Sequence, residues 1–512
     1  MITKLYSAAL QGVDAVEVEV EVNARKCETP RTVIVGLPDA AVRESGERVH
    51  SAVGASALKK EIGVHIINLA PADLRKEGPS FDLPIALAMA ACGEQRPIPD
   101  LELNCVVGEL ALDGKVRPVK GALSIAIEAR RRGRKRLLLP AANAAEAAVI
   151  DGIEVFPIES LYDAWHFLVG NHPLTPFKLD RHAYFNSRRH YAVDFEDVKG
   201  QQHVKRALEV AVAGGHNLLM VGPPGTGKSM LAKRLPTIMP NMSEEEAIEA
   251  TKIHSIAGRL DPKQGILTTR PFRSPHHTIS NAGLLGGGRN PGPGEVSLAH
   301  HGVLFLDELP EFNRSTLEVM RQPLEDGQVT ISRAAGSLTF PANFMLVSAM
   351  NPCPCGYYGD PKRDCRCAPR QIENYRQRIS GPLLDRIDLH VEVPLVAYKD
   401  LASATSGEKS ERIRQRVTST RARQQDRFVG NHGVCTNSSM SAREVRLHCK
   451  LDRESSSFLE QAMAQLNFSA RAHDRILKVA RTLADLDDSE NIGATQVLEA
   501  IQYRSLDRTL QL

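Results

Sequence analysis

Eight consecutive residues decide the fold of this chain: Gly222-Pro223-Pro224-Gly225-Thr226-Gly227-Lys228-Ser229. They match the pattern G-x-x-x-x-G-K-[ST] at every fixed position. The apolar run at 218–221 is typical of a buried parallel strand, and residues 230–235 are typical of a helix. In this context, the backbone N–H groups of a glycine-rich turn surround phosphate oxygens. The stretch therefore predicts a phosphate site rather than a turn without a ligand. Lys228 should reach the terminal phosphates, and the Ser229 hydroxyl should bind Mg²⁺.

Two further predicted strands end in polar residues. Asp307 and Glu308 follow the apolar run at 303–306, and Asn351 follows the strand predicted at 343–350. Parallel strands deliver such side chains to one edge of a sheet. We expect Asp307 to hold the water shell of Mg²⁺, and Glu308 to act as general base on an attacking water. Asn351 is placed to orient that water or the γ-phosphate, so ATP and Mg²⁺ are the predicted cofactors.

Composition sets limits on the class of protein. The chain has 512 residues, of which 42% are apolar and 24% charged, and this length suggests roughly three globular domains. The N-terminus lacks the apolar region of a signal peptide, and no apolar run is long enough to span a membrane. We therefore expect a cytoplasmic protein with no membrane partner. A net charge of +3 gives no global attraction to nucleic acid, so DNA contacts must come from local patches.

The N-terminal third has the pattern of a mixed α+β domain. Period-two alternation and apolar runs predict strands at 16–22, 32–38, 64–70 and 136–140. Helices are predicted at 40–58 and 123–132, and a turn leads into another helix across 75–88. Asp113-Gly114 is typical of a hairpin turn.

These patterns predict four regions of the chain. They are an α+β domain at 1–170, a linker at 171–192, an α/β core with a parallel sheet at 193–395, and a helical region at 396–512. The linker has no clear hydrophobic period.

Nine cysteines, an odd number, argue against a disulfide framework. Four of them form two C-x-C pairs separated by nine residues: Cys353, Cys355, Cys365 and Cys367. Four thiolates on a short loop suit tetrahedral Zn²⁺, but C-x-C is tighter than the usual finger spacing. Structural Zn²⁺ and reduced thiols in a packed loop both remain open. The pairs His276-His277 and His300-His301 lack a metal-binding pattern, and we expect hydrogen-bonding or pore-loop roles for them.

Two basic stretches and one hairpin are candidates for contact with nucleic acid. The densest basic run is 130–136, and residues 410–428 predict a helix rich in arginine. Such runs are usually solvated faces, with phosphate contact as the alternative. Residues 326–340 alternate on both sides of a glycine-containing turn, which predicts a hairpin with Arg333 at its tip.

The motifs at 222–229, 307–308, 351 and 383–388 resemble the AAA+ ATPases. Glycine-rich segments at 283–302 and the hairpin at 326–340 resemble the helix-2 insert and pre-sensor-1 hairpin of the magnesium-chelatase and MCM branch. In that branch the hairpin points into the ring pore, so Arg333 becomes a candidate DNA contact. The resemblance makes Arg386 an arginine that reaches the phosphate bound by a neighbouring subunit. It makes Arg471 the second sensor, with Arg475 as its competitor, and 396–512 a helical lid.

Within this branch the chain is most similar to the YifB/ComM family of magnesium-chelatase-like proteins. The hallmarks are Arg273-Ser274-Pro275-His276-His277, Asn351-Pro352-Cys353-Pro354-Cys355-Gly356 and the N-terminal domain. The resemblance covers nearly all 512 residues. It implies a homohexameric DNA helicase that promotes branch migration during recombination in natural transformation. Single-stranded or branched DNA and recombinase proteins are the implied partners.

The N-terminal domain resembles the proteolytic domain of Lon proteases, which is also attached to the recombination ATPase RadA. The matching pieces are Gly78-Pro79-Ser80, the hairpin at Gly108-Glu109 and the following helix. In the protease, the serine at this place is the nucleophile, and a lysine in the helix activates it. Here the alignment places Leu123 at the lysine position, with Lys120 one turn earlier. We therefore expect a non-proteolytic scaffold, in which Ser80 caps a helix.

Three hypotheses for the function follow. The first is an ATP-driven DNA motor, which the hairpin and the RadA-like domain pairing favour. The second is a protein-remodelling or metal-insertion machine of the magnesium-chelatase type. The third is an ATP-dependent protease that uses Ser80.

Overall fold

The computed structural model describes most of the chain. The described residues are 2–29, 31–180, 184–185, 191–261, 264–288, 291–333, 336–360, 363–396, 407–430, 435–466 and 468–506, and the side chains of 333 and 336 are not among them. No described helix is both long and apolar enough to cross a lipid bilayer.

Within the described residues there are eighteen strands and nineteen α-helices, numbered in chain order. The strands are β1 Ile2–Gln11, β2 Asp14–Lys26, β3 Arg31–Val35, β4 Gly63–Ala70, β5 Asn104–Val106, β6 Glu109–Leu110, β7 Val116–Arg117, β8 Arg136–Pro140, β9 Glu154–Ile158, β10 Leu218–Val221, β11 Phe272–Arg273, β12 Gly286–Gly287, β13 Gly292–Pro293, β14 Val303–Leu306, β15 Gln328–Arg333, β16 Gly336–Pro341, β17 Met345–Met350 and β18 Leu389–Glu392. The helices are α1 Ala40–Ala55, α2 Asp82–Glu94, α3 Ala122–Arg131, α4 Ala144–Ala147, α5 Leu161–Leu168, α6 Gln202–Gly214, α7 Lys228–Ile238, α8 Glu244–Ile256, α9 Asn281–Leu285, α10 Glu295–Leu298, α11 Arg314–Val319, α12 Arg321–Asp326, α13 Pro369–Arg376, α14 Gly381–Leu384, α15 Ser410–Arg427, α16 Ala442–His448, α17 Arg453–Leu466, α18 Ala470–Leu486 and α19 Ala494–Gln502.

The chain forms two compact units. The first contains residues 1–189, 244–268 and 332–340, and the second contains 190–243, 269–331 and 341–512. Helix α8 and part of the β15–β16 hairpin therefore belong to the first unit, although they lie within the segment predicted as the α/β core.

The first unit is built on a seven-stranded sheet with the order β3-β4-β2-β1-β5-β8-β9. Only β2 runs antiparallel to the other six strands. Helix α2 is buried from residue 82 to residue 92, as expected of a helix that is apolar on all sides. At its start, the buried carboxylate of Asp82 accepts hydrogen bonds from Ser45 at 2.5 Å and from Arg48 at 2.9 Å. These bonds compensate the cost of burying the charge.

Helix α8 is tied into the first unit by a second buried carboxylate. Glu146 accepts hydrogen bonds from the Ser255 hydroxyl at 2.5 Å and from the Leu123 amide at 2.8 Å. The same hydroxyl accepts the Gly121 amide at 2.8 Å. Burial raises the pKa of Glu146, and these hydrogen bonds act against that rise. Helix α8 is therefore held by polar bonds as well as by its apolar face.

The second unit contains a five-stranded parallel sheet with the order β11-β14-β17-β10-β18. Strands β10, β14 and β17 are buried at every position. Because β10 lies in the interior of the sheet beside β17, the residues that follow these two strands meet at one edge. The carboxyl edge of this sheet is therefore where the predicted polar residues converge.

The C-terminal part of the second unit is helical, as predicted. Helix α18 begins after the N-cap Ser469, which accepts the Ala472 amide at 3.2 Å. The arginine-rich helix α15 is not the solvated face that its composition indicated. Arg416 pairs with Glu209 at 2.6 Å, Arg421 donates to the Val212 carbonyl at 2.7 Å, and Arg427 pairs with Asp485 at 2.8 Å. These arginines fix the helix to its own unit.

The basic run at 130–136 is also largely paired. Arg131 and Arg132 bond to Glu128 at 2.6 and 2.9 Å. Arg134 bonds to Glu17 at 2.8 Å, and its guanidinium carbon lies 3.5 Å from the centre of the Tyr6 ring. Much of the charge that suggested phosphate contact is thus balanced within the first unit.

Candidate functional site

The loop at 222–229 joins β10 to α7, as the sequence predicted. Gly225 and Gly227 have φ values of 80° and 86°, which side chains disfavour. A Cβ atom at Gly222 would lie 2.2 Å from the carbonyl oxygen of Val393, the residue that directly follows β18. The Gln201 amide donates to the Thr226 carbonyl at 3.0 Å and braces the loop from outside. Glycine is therefore needed both for the turn and for close packing of strands.

Lys228 and Ser229 lie where the phosphate hypothesis requires them. The Lys228 Nζ atom donates to the carbonyls of Gly222 at 2.6 Å and Pro223 at 2.9 Å, inside the loop. Burial lowers the pKa of Lys228, and the charges of Asp307 and Glu308 oppose this shift. The loop and the positive end of α7 offer N–H donors and an ammonium group, which suit a polyphosphate.

The two acids follow β14 directly. The Asp307 Oδ2 atom accepts the Ser229 hydroxyl at 2.6 Å, so the two predicted Mg²⁺ residues are in contact. Glu308 has a φ of 53°, a backbone conformation that non-glycine residues rarely adopt, and its side chain is 58% exposed. The His277 Nδ1 atom lies 3.5 Å from a Glu308 carboxylate oxygen. Glu308 therefore presents an accessible carboxylate beside the phosphate loop.

Asn351 completes this group of side chains. Its Oδ1 atom accepts from Lys228 Nζ at 3.3 Å. Burial raises the pKa of the Tyr375 hydroxyl on α13 to about 12, and the backbone N–H of Asn351 opposes this rise. Tyr375 and Gln201 could not be identified from the sequence, because each lies in a segment with no motif of its own. The structure thus brings together Lys228, Ser229, Asp307, Glu308 and Asn351 at one edge of the sheet.

Arg386 and Arg471 lie elsewhere in the second unit. Asn217, which directly precedes β10, donates to the Arg386 carbonyl at 2.9 Å. The phosphate loop leaves the other end of β10, and four strand residues span about 13 Å. Arg386 forms an ion pair with Glu325, and Arg471 lies 3.8 Å from the neighbouring Asp385. The two arginines are therefore close to each other and not to Lys228 of the same chain.

Arg475, the competitor of Arg471, has a different role. It forms an ion pair with Asp388, which is buried and also accepts from His216 Nδ1 at 3.2 Å. Burial raises the pKa of Asp388, but the charge of Arg475 and the His216 bond outweigh it, and the resulting pKa is well below the usual range. Arg475 thus belongs to the interior of the unit.

The four cysteines converge on one point. The Cys353 sulfur lies 3.3 Å from that of Cys355 and 3.7 Å from that of Cys365, and the sulfurs of Cys355 and Cys365 are 3.6 Å apart. With Cys367 included, all four sulfurs lie within 4.8 Å of one another. Four Zn–S bonds of about 2.3 Å in a tetrahedron place sulfur atoms about 3.8 Å apart. The cluster therefore fits a metal ion of this size.

The histidine pairs make hydrogen bonds, as expected. His276 Nδ1 contacts the Thr278 hydroxyl at 2.9 Å, and His300 Nδ1 accepts the Asn343 amide at 3.0 Å. Adjacent histidines on a strand would be expected to point to opposite faces, but the paired rings here lie only 4.1 and 3.9 Å apart. Neither pair lies in one of the described strands, so strand alternation does not apply.

Two residues of the first unit test the predicted protease-like site. Ser80 lies in a 3₁₀ turn, Pro79–Phe81, and Phe81 is the residue that precedes α2, so the N-cap interpretation of Ser80 is wrong. Leu123 is fully buried, and its amide is bound to Glu146. The carbon chain of Lys120 lies against Gly258.

Arg333, the predicted tip of the hairpin, is the last residue of β15, and its side chain lies outside the described residues.

Comparison with known families covers most of the chain. The family described as magnesium chelatase, subunit ChlI, matches residues 194–401. Subunit ChlI of Mg-chelatase matches 18–143, and the ChlI C-terminal family matches 407–504. The chain is 44% identical over 508 residues to the uncharacterized protein YifB of Escherichia coli K12, covering 99% of this chain and 97% of YifB. It is 42% identical over 509 residues to the competence protein ComM of Haemophilus influenzae, covering 99% and 98%.

The chain belongs to the YifB/ComM family of magnesium-chelatase-like proteins. Membership in this AAA+ family indicates ATPase activity and implies ATP and Mg²⁺ as cofactors.

Partial matches connect the family to two other proteins. The chain is 29% identical over 150 residues to Lon protease 2 of Bacillus subtilis, which covers 27% of this chain and 26% of that protease. It is 30% identical over 150 residues to the DNA repair protein RadA of Escherichia coli, which covers 29% and 31%. The predicted Lon-like element is supported by these matches.

Proposed function

We propose that the chain is an ATP-driven DNA motor that works as a homohexamer and promotes branch migration during recombination in natural transformation. The observation that carries this proposal is the division of the ATP machinery. Five groups converge at one edge of the sheet, while Arg386 and Arg471 lie at the other end of β10. Neighbouring copies in a ring would supply these arginines to each other's nucleotide.

The residues at the edge of the sheet suit ATP hydrolysis. Mg²⁺ held through Ser229 and Asp307 would neutralise phosphate charge. Glu308 takes a proton from water, the water oxygen bonds to the γ-phosphorus, and the bond from that phosphorus to the β–γ bridging oxygen breaks. The products are ADP and inorganic phosphate. Lys228 and Asn351 hold the terminal phosphate in line during this exchange.

A ring explains the position of Arg386. Its side chain is only 12% exposed, because it pairs with Glu325 and donates to the Pro382 carbonyl at 2.5 Å. To reach the phosphate of a neighbouring protomer, the Arg386 side chain must leave Glu325 and pair with the phosphate, which carries more negative charge. Hydrolysis in such a ring requires contact between protomers, so assembly and turnover are coupled.

DNA is the proposed polymer for two reasons. The β15–β16 hairpin directly precedes the strand that ends at Asn351, so a shift of that strand during the ATP cycle would be passed to the hairpin and to Arg333. The similarity to ComM, a competence protein, and to RadA, a DNA repair protein, favours DNA over other polymers. A non-proteolytic first unit fits with this, since Leu123 offers no base to Ser80.

We also propose that the four cysteines hold structural Zn²⁺. The sulfurs of Cys353, Cys355 and Cys365 are 3.3 to 3.7 Å apart, and all four sulfurs lie within 4.8 Å of one another, which fits a tetrathiolate site of free thiols.

The decisive experiment is ATP-dependent movement of a labelled branched DNA. Wild type is expected to convert the branch, and Glu308→Gln is expected to bind ATP and DNA but not to convert it. Glu311→Gln is the matched control, because Glu311 lies three residues further on and pairs with Arg378 at 2.9 Å. Arg333→Ala should abolish stimulation of ATP hydrolysis by single-stranded DNA. ATP hydrolysis that no DNA alters, together with an unmoved branch, would refute the motor.

A protein-remodelling or metal-insertion machine is the second candidate. All three matching families are described by magnesium chelatase subunits, which favours this reading. It predicts a protein partner that binds only with ATP and is released on hydrolysis. Affinity capture with Glu308→Gln, which holds ATP, would detect that partner, whereas the DNA motor predicts capture of DNA instead.

A further inference from the structure

The loop that carries the four cysteines begins at the ATP site. The described residues 353–360 and 363–367 are here called the cysteine loop. Asn351, which contacts Lys228 at 3.3 Å, is separated from Cys353 by one proline, and Cys353 is fully buried. Any movement of Cys353 is therefore transmitted to Asn351 through one rigid residue.

The cysteine loop also packs directly on the phosphate loop. A Cβ atom at Gly356 would lie 2.6 Å from Cδ of Pro224 and 3.9 Å from Cγ of Asn351. Ordinary contacts begin at 3.4 Å, so the two loops already touch through backbone and proline ring. One turn of the cysteine loop thus packs on Pro224 and lies beside Asn351.

Helix α13 supports the residues just before the cysteine loop. Arg376 donates to the Pro352 carbonyl at 3.3 Å, and the backbone N–H of Asn351 acts on the hydroxyl of Tyr375. These bonds hold the backbone of 351–352, but the residues from Cys353 to Cys367 have no described helix or strand. A loop without regular structure needs another source of order, and a bound metal supplies it.

We propose that the cysteine loop with its metal is a positioning element of the ATP site, which holds Asn351 against Lys228 so that metal loss lowers the turnover number for ATP. This inference rests on the ATPase and Zn²⁺ site proposed above. Pro224 is still held by its own loop when the metal leaves, so nucleotide binding changes little. Asn351 keeps the backbone support of α13 but loses the packing of the cysteine loop beside its side chain, and a displacement of about 1 Å in a catalytic group can reduce a rate by about 100-fold.

The test compares three variants of the full chain. Cys365→Ser removes a ligand that is fourteen positions from Asn351 and leaves the residues at the ATP site unchanged. Cys365→His keeps a zinc ligand at the same position. Cys435→Ser is the control, because Cys435 is exposed and outside the cluster.

Zinc content is measured first, by release to a colorimetric chelator after thiol modification. We expect about one zinc per chain in wild type, Cys435→Ser and Cys365→His, and none in Cys365→Ser. Cobalt in place of zinc should give thiolate charge-transfer absorption in wild type, which reads out the site without ATP. Absence of both signals from wild type would overturn the metal site.

Turnover and nucleotide affinity are then measured separately. In Cys365→Ser we expect kcat to fall at least about tenfold, with less than about a threefold change in the Kd of a fluorescent non-hydrolysable nucleotide. Cys365→His should restore kcat. Circular dichroism checks folding, and chelation of zinc from folded wild type provides the same comparison without a substitution. Unchanged kcat after verified zinc loss would overturn the positioning role, whereas a wild type that holds zinc but hydrolyses no ATP would overturn the proposed ATPase instead.

Discussion

Adding one methyl group at Gly356 should impair the ATP site through contact alone. A Cβ atom there would lie 2.6 Å from Pro224 Cδ, so one of the two loops must move by about 0.8 Å to restore the 3.4 Å of an ordinary contact. The φ of Gly356 is 86°, so Gly356→Ala also carries a backbone cost of roughly 1–2 kcal/mol. The backbone cost lowers the free energy of unfolding, whereas the contact of the added Cβ atom with Pro224 displaces the phosphate loop.

Gly430→Ala separates these two effects. Gly430 has a φ of 84° and nothing within 4 Å of its added Cβ atom, so it reproduces the backbone cost without the contact. We expect both variants to lose similar amounts of thermal stability. Only Gly356→Ala should lower kcat/KM for ATP, by about 10- to 100-fold, which corresponds to roughly 1.4 to 2.7 kcal/mol.

The assay is steady-state phosphate release with ATP titration, alongside thermal unfolding of both variants. Equal kcat/KM in Gly356→Ala and wild type would show that the two loops do not restrain each other. Equal loss of activity in both glycine variants would show that backbone strain, not the contact with Pro224, is responsible.

Three further predictions concern other parts of the chain. Lys228→Ala and Arg386→Ala should each hydrolyse almost no ATP alone, and mixing the two variants should restore hydrolysis. The reason is that Arg386→Ala protomers retain the nucleotide site and Lys228→Ala protomers retain the arginine. A mixture no more active than the sum of the two variants would place Arg386 outside the neighbour's site. Burial lowers the pKa of His50 and His65, whose rings lie 5.4 Å apart, so the unfolded chain takes up their protons near pH 6.5 while the folded chain takes them up only at lower pH. The stability that these two histidines contribute is therefore fully present above about pH 6.5 and is lost as the pH falls through their folded pKa values. Between pH 5 and 8, the unfolding temperature of His65→Phe should change less with pH than that of wild type. Ser80→Ala should leave ATP turnover unchanged, and neither it nor wild type should cleave peptides in a fluorogenic assay; cleavage by wild type that Ser80→Ala abolishes would revive the protease hypothesis.

Much of the second unit could be predicted from local sequence. The strands 218–221, 303–306 and 345–350 are buried throughout and, apart from Ser348, apolar, because a parallel sheet buries both faces, and the polar residues that follow them mark the site. In the first unit β1 was missed. Thr3 and Ser7 occupy buried positions of that strand, so its core-facing side does not show the apolar alternation that marks β2.

Features that depend on distant parts of the chain could not be predicted. The arginines of α15 look solvated in sequence, because their partners Glu209 and Asp485 lie far away along the chain. The same holds for Tyr375, which is recognisable only once α13 is seen beside Asn351. The convergence of the cysteines was anticipated, but their contact with Pro224 was not, since spacing does not show what a loop packs against.

The division of the chain into units has a practical consequence for fragments. The boundary is crossed five times, because α8 and the segment 332–340 return to the first unit. A fragment that starts after the predicted linker at 171–192 would keep α8 but lose α3, against which α8 packs. A cut there should therefore expose the buried side chains of Ala247, Ala250 and Ile253 to water, and Ser255 at the end of α8 would lose its bond to Glu146. We expect such a fragment to be insoluble, because its folding depends on residues of the first unit.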